Sequence, residues 1–330
     1  MKKKRTILIT GVAGFIGFHL ARYLIKKKYK IIGLDNLNNY YDVKLKKDRI
    51  KILSTASKKN FKFFKLDVSK YKNFSILAKF NIDYIFHLAA QAGVRYSLKN
   101  PQKFIDSNVS GFLNVIKFAK EKKIPKMFCA SSSSVYGSNN RVPYKEKDNT
   151  DSMLQFYAVT KKTNELMARV YSNLDNLSII CGRFFTVYGP MGRPDMAIYK
   201  FALSILKKKE VQIYNKGNHY RDFTYINDLI IVLFKIMRKH FIIKNKTYFD
   251  IFNISSGKKE NILRILQLLE FNLDIKAKIK FIEKQKGDML RTCGDNAKLK
   301  KFISYVPNTS YEKGVNLFIK WFKRYHLRKL

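Results

Sequence analysis

Along the first half of the chain, short apolar runs alternate with longer stretches in which apolar residues recur every three to four positions. The short runs are residues 5–10, 30–35, 61–66, 83–88, 126–130 and 178–182, and their length and continuity predict buried strands. Residues 15–28 carry one apolar face at helical spacing, and 70–80, 102–122 and 150–172 also read as helices. Strands alternating with helices predict an α/β fold on a doubly wound parallel sheet. Residues 36–60 break the alternation with an insertion rich in Tyr, Asn and Lys. Beyond Arg183 the loops lengthen and the elements shorten, although residues 227–240 keep a strong helical pattern that is expected to pack back on the first half. The expected division is a large domain over residues 1–182 and a smaller α/β lid over 183–330.

Composition narrows the class of protein. Of 330 residues, 46% are hydrophobic and 14% aromatic, enough for a sizeable core, and disorder would need the opposite balance. Cys129, Cys181 and Cys293 are widely spaced, with no CxxC pair or Cys/His cluster; reduced cytosolic thiols and no metal are expected. No apolar stretch reaches the roughly 18 residues of a membrane span. The basic start followed by an apolar run resembles a signal peptide, but three glycines interrupt that run and the helical pattern continues through it, so a cytoplasmic protein is expected. The formal net charge is +42. Lysines are scattered, as at 26–28, 46–47, 161–162 and 207–209, instead of gathering in a nucleic-acid motif. They read as solvated positions of a lysine-rich composition, able to attract polyanions only weakly and without sequence specificity.

The first candidate chemistry lies between the first strand and the first helix, in TGVAGFIG at residues 10–17. Gly11 permits a tight turn, Gly14 lets backbone approach a pyrophosphate, and Gly17 lets helix and strand pack closely. Phe15 and Ile16 open the helix, whose free N–H groups then face phosphate. This GxxGxxG spacing predicts a Rossmann-type dinucleotide site in residues 1–182. Asp35, followed by Asn36, closes the second strand, where a carboxylate accepts from the adenosine ribose diol and repels a 2′-phosphate. NAD is therefore expected over NADP. Asp67 and Val68, at the end of the third strand, are expected to flank the adenine.

A second constellation is Tyr157 and Lys161, a YxxxK pair whose i, i+4 spacing puts both side chains on one helix face. A lysine ammonium beside a phenol favours the phenolate, which suits Tyr157 to general acid–base work. Its expected partner is the strand-end run ASSSSVYG at residues 130–137, at the carboxyl edge of the sheet where ligands of such folds bind.

Taken together, GVAGFIG, HLAA (residues 87–90), SSSSVYG and YAVTK resemble the extended short-chain dehydrogenase/reductase family of nucleotide-sugar epimerases, dehydratases and decarboxylases. Within it, DNLNNYYD (35–42), HLAAQAGVRYS (87–97), RFFTVYGPMGRPDM (183–196) and YRDFTYINDL (220–229) are similar to UDP-glucuronate 4-epimerases, with a weaker match in GD at 287–288. The resemblance implies that Ser132 hydrogen-bonds the reacting hydroxyl beside Tyr157. Leu88, Ala89, Ala90 and Phe184 would border the cofactor. Ser133, Ser134 and Thr186 would line the sugar pocket, Arg193 with Arg95 would pair with a uronate carboxylate, and Arg221, Tyr214 and Asp288 would hold the UDP part. Met191 departs from the family, which usually carries Trp there. Related dehydratases usually place an Asp–Glu pair before VYG, and decarboxylases a Glu; here Ser133 and Ser134 stand instead.

The implied reaction is 4-epimerisation of a UDP-uronic acid through a 4-keto sugar, with NAD returned unchanged. Two alternatives stay open at this point: a 4-epimerase of neutral UDP-hexoses or N-acetylhexosamines, and a non-catalytic nucleic-acid-binding relative. A homodimer is implied through the helices at 102–122 and 150–172, with Phe112, Val115, Ile116, Leu166 and Val170 as packing positions.

Overall fold

The computed structural model describes residues 5–244, 247–283 and 289–327. Its strands are β1 (Thr6–Thr10), β2 (Lys30–Asp35), β3 (Phe61–Lys65), β4 (Tyr84–His87), β5 (Lys126–Ser132), β6 (Ser178–Phe184), β7 (Thr186–Tyr188), β8 (Glu210–Tyr214), β9 (Tyr220–Tyr225), β10 (Phe249–Ile254), β11 (Lys259–Asn261) and β12 (Lys278–Ile282). The helices are α1 (Phe15–Lys26), α2 (Val43–Ala56), α3 (Val94–Lys99), α4 (Pro101–Phe104), α5 (Gly111–Glu121), α6 (Phe156–Leu174), α7 (Ala197–Leu206), α8 (Ile226–Ile242), α9 (Ile262–Leu273), α10 (Ala297–Ile303) and α11 (Tyr311–Leu327).

Seven strands form one sheet in the order β10-β6-β5-β4-β1-β2-β3. β1 pairs in parallel with both β2 and β4, β2 with β3, and β4 with β5. The order reverses at β1, so the crevice above β1 and β4 is where a ligand of a doubly wound sheet binds. The expected α/β class and strand pattern hold. Burial explains the continuous apolar runs: Ile7, Leu8, Ile9, Ile85 and Phe86 are fully covered, because helices shield both faces of a parallel sheet. On one face Leu8, Ile85, Met127 and Ile179 pack with Phe112, Val115 and Ile116 of α5 and Ala168 of α6. Each large side chain so covered contributes about 1.5–3 kcal/mol.

The chain divides into two compact units: residues 1–135, 155–183 and 230–252, and residues 136–154, 184–229 and 253–330. This departs from a boundary at residue 182 in giving residues 136–154 to the second unit, while residues 230–252, which include most of the helix expected to pack back, group with the first. Residues 136–154 leave the sheet for the second unit, and β10 returns to the sheet's edge beside β6. The second unit holds a three-stranded sheet, β11-β9-β7, and a parallel pair, β12-β8.

Three local expectations need correction. The insertion at 36–60 is largely α2, started by Asp42, whose carboxylate accepts from the Lys44 N–H at 2.8 Å. The helix expected at 102–122 is broken into α4, a π-helical turn at Ile105–Ser110, and α5. Phe112, Val115 and Ile116, expected as dimer contacts, are fully buried within their own chain; they face the sheet and have no surface for a partner. Leu166 and Val170 remain 54% and 51% exposed.

Candidate functional site

In the first unit, the glycine turn is shaped by close backbone approach. Gly11 has φ +73°, and a Cβ there would lie 2.7 Å from the Ala89 nitrogen, so only glycine lets the β1–α1 turn sit against Leu88 and Ala89 after β4. A Cβ at Gly14 would lie 2.9 Å from the Gly11 carbonyl oxygen. Helix α1 begins at Phe15 and Ile16 with no side-chain cap and no acidic residue in its first turn, which leaves its N-terminus receptive to an anion. Thr10 Oγ1 accepts from the N–H groups of Leu88 and Ala89, both at 3.2 Å, and meets His87 Nδ1 at 2.9 Å. With two lone pairs used, the Thr10 hydroxyl donates to Nδ1, which makes His87 the neutral Nε2–H form. Burial, aided by the Lys161 charge, pushes His87 down to about 3.

Asp35 ends β2 and accepts from the N–H groups of Leu37 (2.8 Å) and Ala13 (3.1 Å). Its burial holds it above the usual carboxylate range, against those hydrogen bonds and the nearby Lys46 charge. Asn36 donates to Asp67 at 3.0 Å. Burial acts to raise Asp67, but the hydrogen bonds from Asn36 and Ser69 and the Lys70 charge outweigh it and leave it lowered. Val68 is buried, its carbonyl held by Asn114 at 2.9 Å. Asp35, Asn36, Asp67 and Val68 are thus brought to the carboxyl ends of β2 and β3.

The serine run divides by strand alternation. Ser131 points into the core and donates to Glu165 at 2.6 Å. Ser132, on the other face, contacts the Ser134 hydroxyl at 3.1 Å and accepts from the Ser134 N–H at 3.2 Å. Ser133 and Ser134 begin a 3-10 turn, which keeps them at the strand's carboxyl end. From α6, Lys161 is buried and its Nζ donates to the Ala130 carbonyl at 2.8 Å, which ties the helix to β5 two residues before Ser132. Tyr157 lies one turn earlier on the same face, half-buried, with its ring edge-on to Phe104. Its backbone is held at both ends: its N–H donates to Ser97 Oγ at 3.2 Å and its carbonyl accepts from Thr160 at 2.8 Å. Arg95, on α3 with Ser97, is exposed.

Sequence reading missed several supports of this group. Asn108, in the π-helical turn, accepts from the Gln91 N–H at 2.7 Å and donates to Thr160 at 3.0 Å. Its carbonyl accepts from Asn164 at 2.7 Å. Asn108 lay in a stretch read as regular helix, so its inward aim had no local signal. The Glu165–Arg183 ion pair is bidentate at 2.8 Å on both arms, with both side chains 3% exposed. The only hint was that Glu165 follows Lys161 by one turn.

In the second unit, Phe184 is buried at the end of β6, and Thr186 lies half-buried on β7 opposite Phe223 of β9. Arg193 forms a fork with Asp195, Nε to Oδ1 at 3.0 Å and Nη2 to Oδ2 at 2.5 Å. Asp195 was not anticipated, although it stands inside the quoted GRPDM. Arg221 Nη1 donates to the carbonyls of Tyr220 and Leu290, both at 3.1 Å. Beside it on β9, buried Asp222 accepts from the N–H and hydroxyl of Ser256, both at 2.7 Å, and from Gly257 at 3.0 Å. Tyr214 is half-buried at the end of β8. Asp288 lies outside the described residues. Among the described residues, no group of three His, Cys, Asp or Glu side chains could hold a metal ion, and no helix is long and apolar enough to cross a membrane.

A glycine turn against the β4 loop, a carboxylate at the end of β2 and a Tyr–Lys helix behind a serine strand end form a dinucleotide enzyme's arrangement, and residues 7–255 match the NAD dependent epimerase/dehydratase family. The chain belongs to that family. Among its relatives, a UDP-glucuronate 4-epimerase of Thermodesulfobacterium geofontis is 38% identical over 96% of this chain and 95% of its own. Protein CapI of Staphylococcus aureus is 40% identical over 97% and 99%. The crystal structure of UDP-glucuronic acid 4-epimerase from Bacillus cereus, in complex with UDP-glucuronic acid and NAD, superposes with a TM-score of 0.88 at 30% identity, covering 97% of this chain and all of that one. As a family member, this chain has its cofactor fit written in its own residues: a cradle that a Cβ would fill at Gly11, and a half-buried carboxylate suited to a ribose diol at Asp35.

Proposed function

We propose that this protein is an NAD-dependent UDP-glucuronate 4-epimerase. The observation that carries the reading is the β5–α6 arrangement: Lys161 anchored beneath Ala130, Tyr157 one turn away, and Ser132 on the opposite face of the strand from Ser131. Relatives and solved structures named for this activity support it along the whole chain. NAD, when bound, supplies reversible hydride transfer at carbon 4, which makes the sugar a 4-ketone for part of the cycle. Gly11, Gly14, Gly17 and the first turn of α1 would hold its pyrophosphate, Asp35 its adenosine ribose, and Asp67 with Val68 its adenine. Tyr157 takes the proton of the carbon-4 hydroxyl and later returns it. Ser132 orients that hydroxyl, and Lys161, held by the Ala130 carbonyl, sets its positive charge one helical turn from Tyr157. Ser133 and Ser134 cannot serve as the acid and base that an elimination requires, which favours epimerisation.

In the second unit, Thr186 would touch the sugar, and Arg221 and Tyr214 the UDP part. Arg193 would receive the uronate carboxylate, with Asp195 keeping its guanidinium in orientation and sharing or exchanging the fork. Incubation with UDP-glucuronate and separation of the products tests the activity itself. Arg193→Leu then tests the substrate class. A hydrogen bond to a charged group is worth about 1.5–3 kcal/mol, so kcat/KM on UDP-glucuronate is expected to fall roughly tenfold to 150-fold, with trace activity on UDP-glucose spared. Equal losses on both sugars would mean that Arg193 serves the fold or the diphosphate, and the uronate reading would lose its main residue-level support.

A homodimer belongs to this reading. On α6, Leu166, Val170 and Leu174 recur every four residues and are 54%, 51% and 75% exposed, an apolar stripe suited to a second copy's helix. Sedimentation is expected to show a dimer at micromolar concentration, and Val170→Asp with Leu174→Asp a monomer. A purely monomeric unmodified protein would count against the stripe as an interface. The reading places the enzyme in the cytoplasm, in keeping with three buried free thiols.

A further inference from the structure

The insertion that interrupts the strand–helix alternation has no part in the chemistry above, yet it is held with unusual care. Its segment 36–42 leaves β2 directly after Asp35 and has no regular structure. Leu37 turns it with φ +53°. The Asn38 N–H donates to Asn36 Oδ1 at 3.1 Å, and the buried Lys46 ammonium grips both the backbone and side-chain oxygens of Asn38, each at 2.7 Å. Lys46 also lies 4.5 Å from the Tyr41 ring centre.

Two side chains then tie the segment to opposite borders of the crevice between β1 and β4. On the β1 side, Arg49 is fully buried. Its Nη1 donates to the Ala13 carbonyl inside the glycine turn at 2.7 Å and to the Tyr41 hydroxyl at 2.8 Å. The guanidinium charge also acts on the Asp35 carboxylate, and the arrangement sets a positive charge behind the turn where a pyrophosphate would lie. On the β4 side, Tyr40 packs on Tyr96 with ring centres 5.0 Å apart. Gly93, at φ +109°, leaves the notch it occupies, for a Cβ there would overlap the Tyr40 phenol. Lys103 pins the Tyr96 hydroxyl from outside at 3.0 Å.

We propose that residues 36–42 are a strap that retains the dinucleotide through turnover, fastened to the glycine turn by Arg49 through Tyr41 and to the β4–α3 loop by Tyr40 in the Gly93 notch. An enzyme that regenerates its cofactor on every cycle gains from never releasing it, and two anchors on opposite sides of one crevice raise the barrier to release without adding a group to the chemistry. Tyr40, Tyr41 and Arg49 are positioning residues. The inference rests on the reading of this crevice as the NAD site.

The test uses the purified full chain loaded with NAD. NAD content is measured after denaturation, and release is followed on dilution into an NAD-binding trap, for the unmodified protein, Tyr40→Ala, Tyr40→Phe and Arg49→Met. Tyr40→Ala loses both the ring pairing with Tyr96 and its burial, so it is expected to release NAD roughly tenfold faster. Tyr40→Phe, which keeps the ring in the notch, stays close to the unmodified rate, and Arg49→Met releases faster than either. At saturating NAD, the loss in Tyr40→Ala falls on the apparent KM for NAD and not on kcat. Release from Tyr40→Ala at the unmodified rate would overturn the strap, as would a fall in kcat at saturation matching the loss of NAD, since the segment would then be shaping the reaction site. Should Arg49→Met fail to fold, the two Tyr40 variants decide alone. An unmodified protein that neither carries nor binds NAD would instead overturn the reading of the crevice itself.

Discussion

Tyr157→Phe is expected to keep the fold and the bound NAD while losing about 10²–10⁴ in turnover, the scale of a positioned general acid–base. The substitution removes one oxygen and leaves the ring where it packs edge-on to Phe104. The hydrogen bonds that place Tyr157 are to its backbone, from Thr160 and to Ser97, and both survive. Lys161 keeps its bond to the Ala130 carbonyl. The measurement is single-turnover epimerisation of UDP-glucuronate beside NAD content and a thermal melt. Near-normal turnover with full NAD occupancy would remove Tyr157 from the role of base. A loss of NAD in step with the loss of rate would mean that the phenol serves binding.

The second large effect is on stability. Glu165→Gln leaves the Arg183 guanidinium with a neutral partner at a position 3% exposed, and Ser131 facing an amide instead of a carboxylate. Removing one charge of a buried pair costs about 3–5 kcal/mol, whereas exposed pairs such as Arg264–Glu312, whose side chains are each 53% exposed, contribute little because water screens them. The chemical-denaturation midpoint of Glu165→Gln is therefore expected to fall far more than that of Glu312→Gln. The double variant Glu165→Leu with Arg183→Met should recover much of the loss, because no unpaired charge remains. If the single variant were as mild as the surface one, the pair would not be the tie between β5, α6 and β6 that its geometry indicates. If the double variant folded well but turned over slowly, the pair would be acting through Ser131 on the placement of Ser132.

Much of the cofactor half was legible because its signals are local. TGVAGFIG places three glycines within one strand–turn–helix, and the same eight residues that carry the pattern make the turn. The i, i+4 spacing of Tyr157 and Lys161 likewise specifies a shared helix face without reference to the rest of the chain. The misreadings had non-local causes. Phe112, Val115 and Ile116 have the periodicity of any apolar face, and periodicity does not say whether that face meets the chain's own sheet or a second copy. The helix expected at 102–122 has apolar spacing across its whole length, but the π-helical turn at Ile105–Ser110 coincides with Asn108 reaching Gln91 and Thr160, 17 and 52 residues away.

By itself, the sequence determined the α/β class, the succession of strands through β6, the dinucleotide turn, the choice of a carboxylate at Asp35 and the resemblance to 4-epimerases. All of these rest on contacts within a few residues or on motifs read in order. Only the tertiary structure decided which serine faces the core, that Glu165 meets Arg183, that Arg193 is already engaged by Asp195, and that the tyrosine-rich insertion fastens both borders of the crevice. The physical reason is that burial and pairing are set by what arrives from elsewhere in the chain. Arg49 is a surface-type residue on a polar helix until the fold brings the Ala13 carbonyl, 36 residues earlier, within 2.7 Å of its guanidinium.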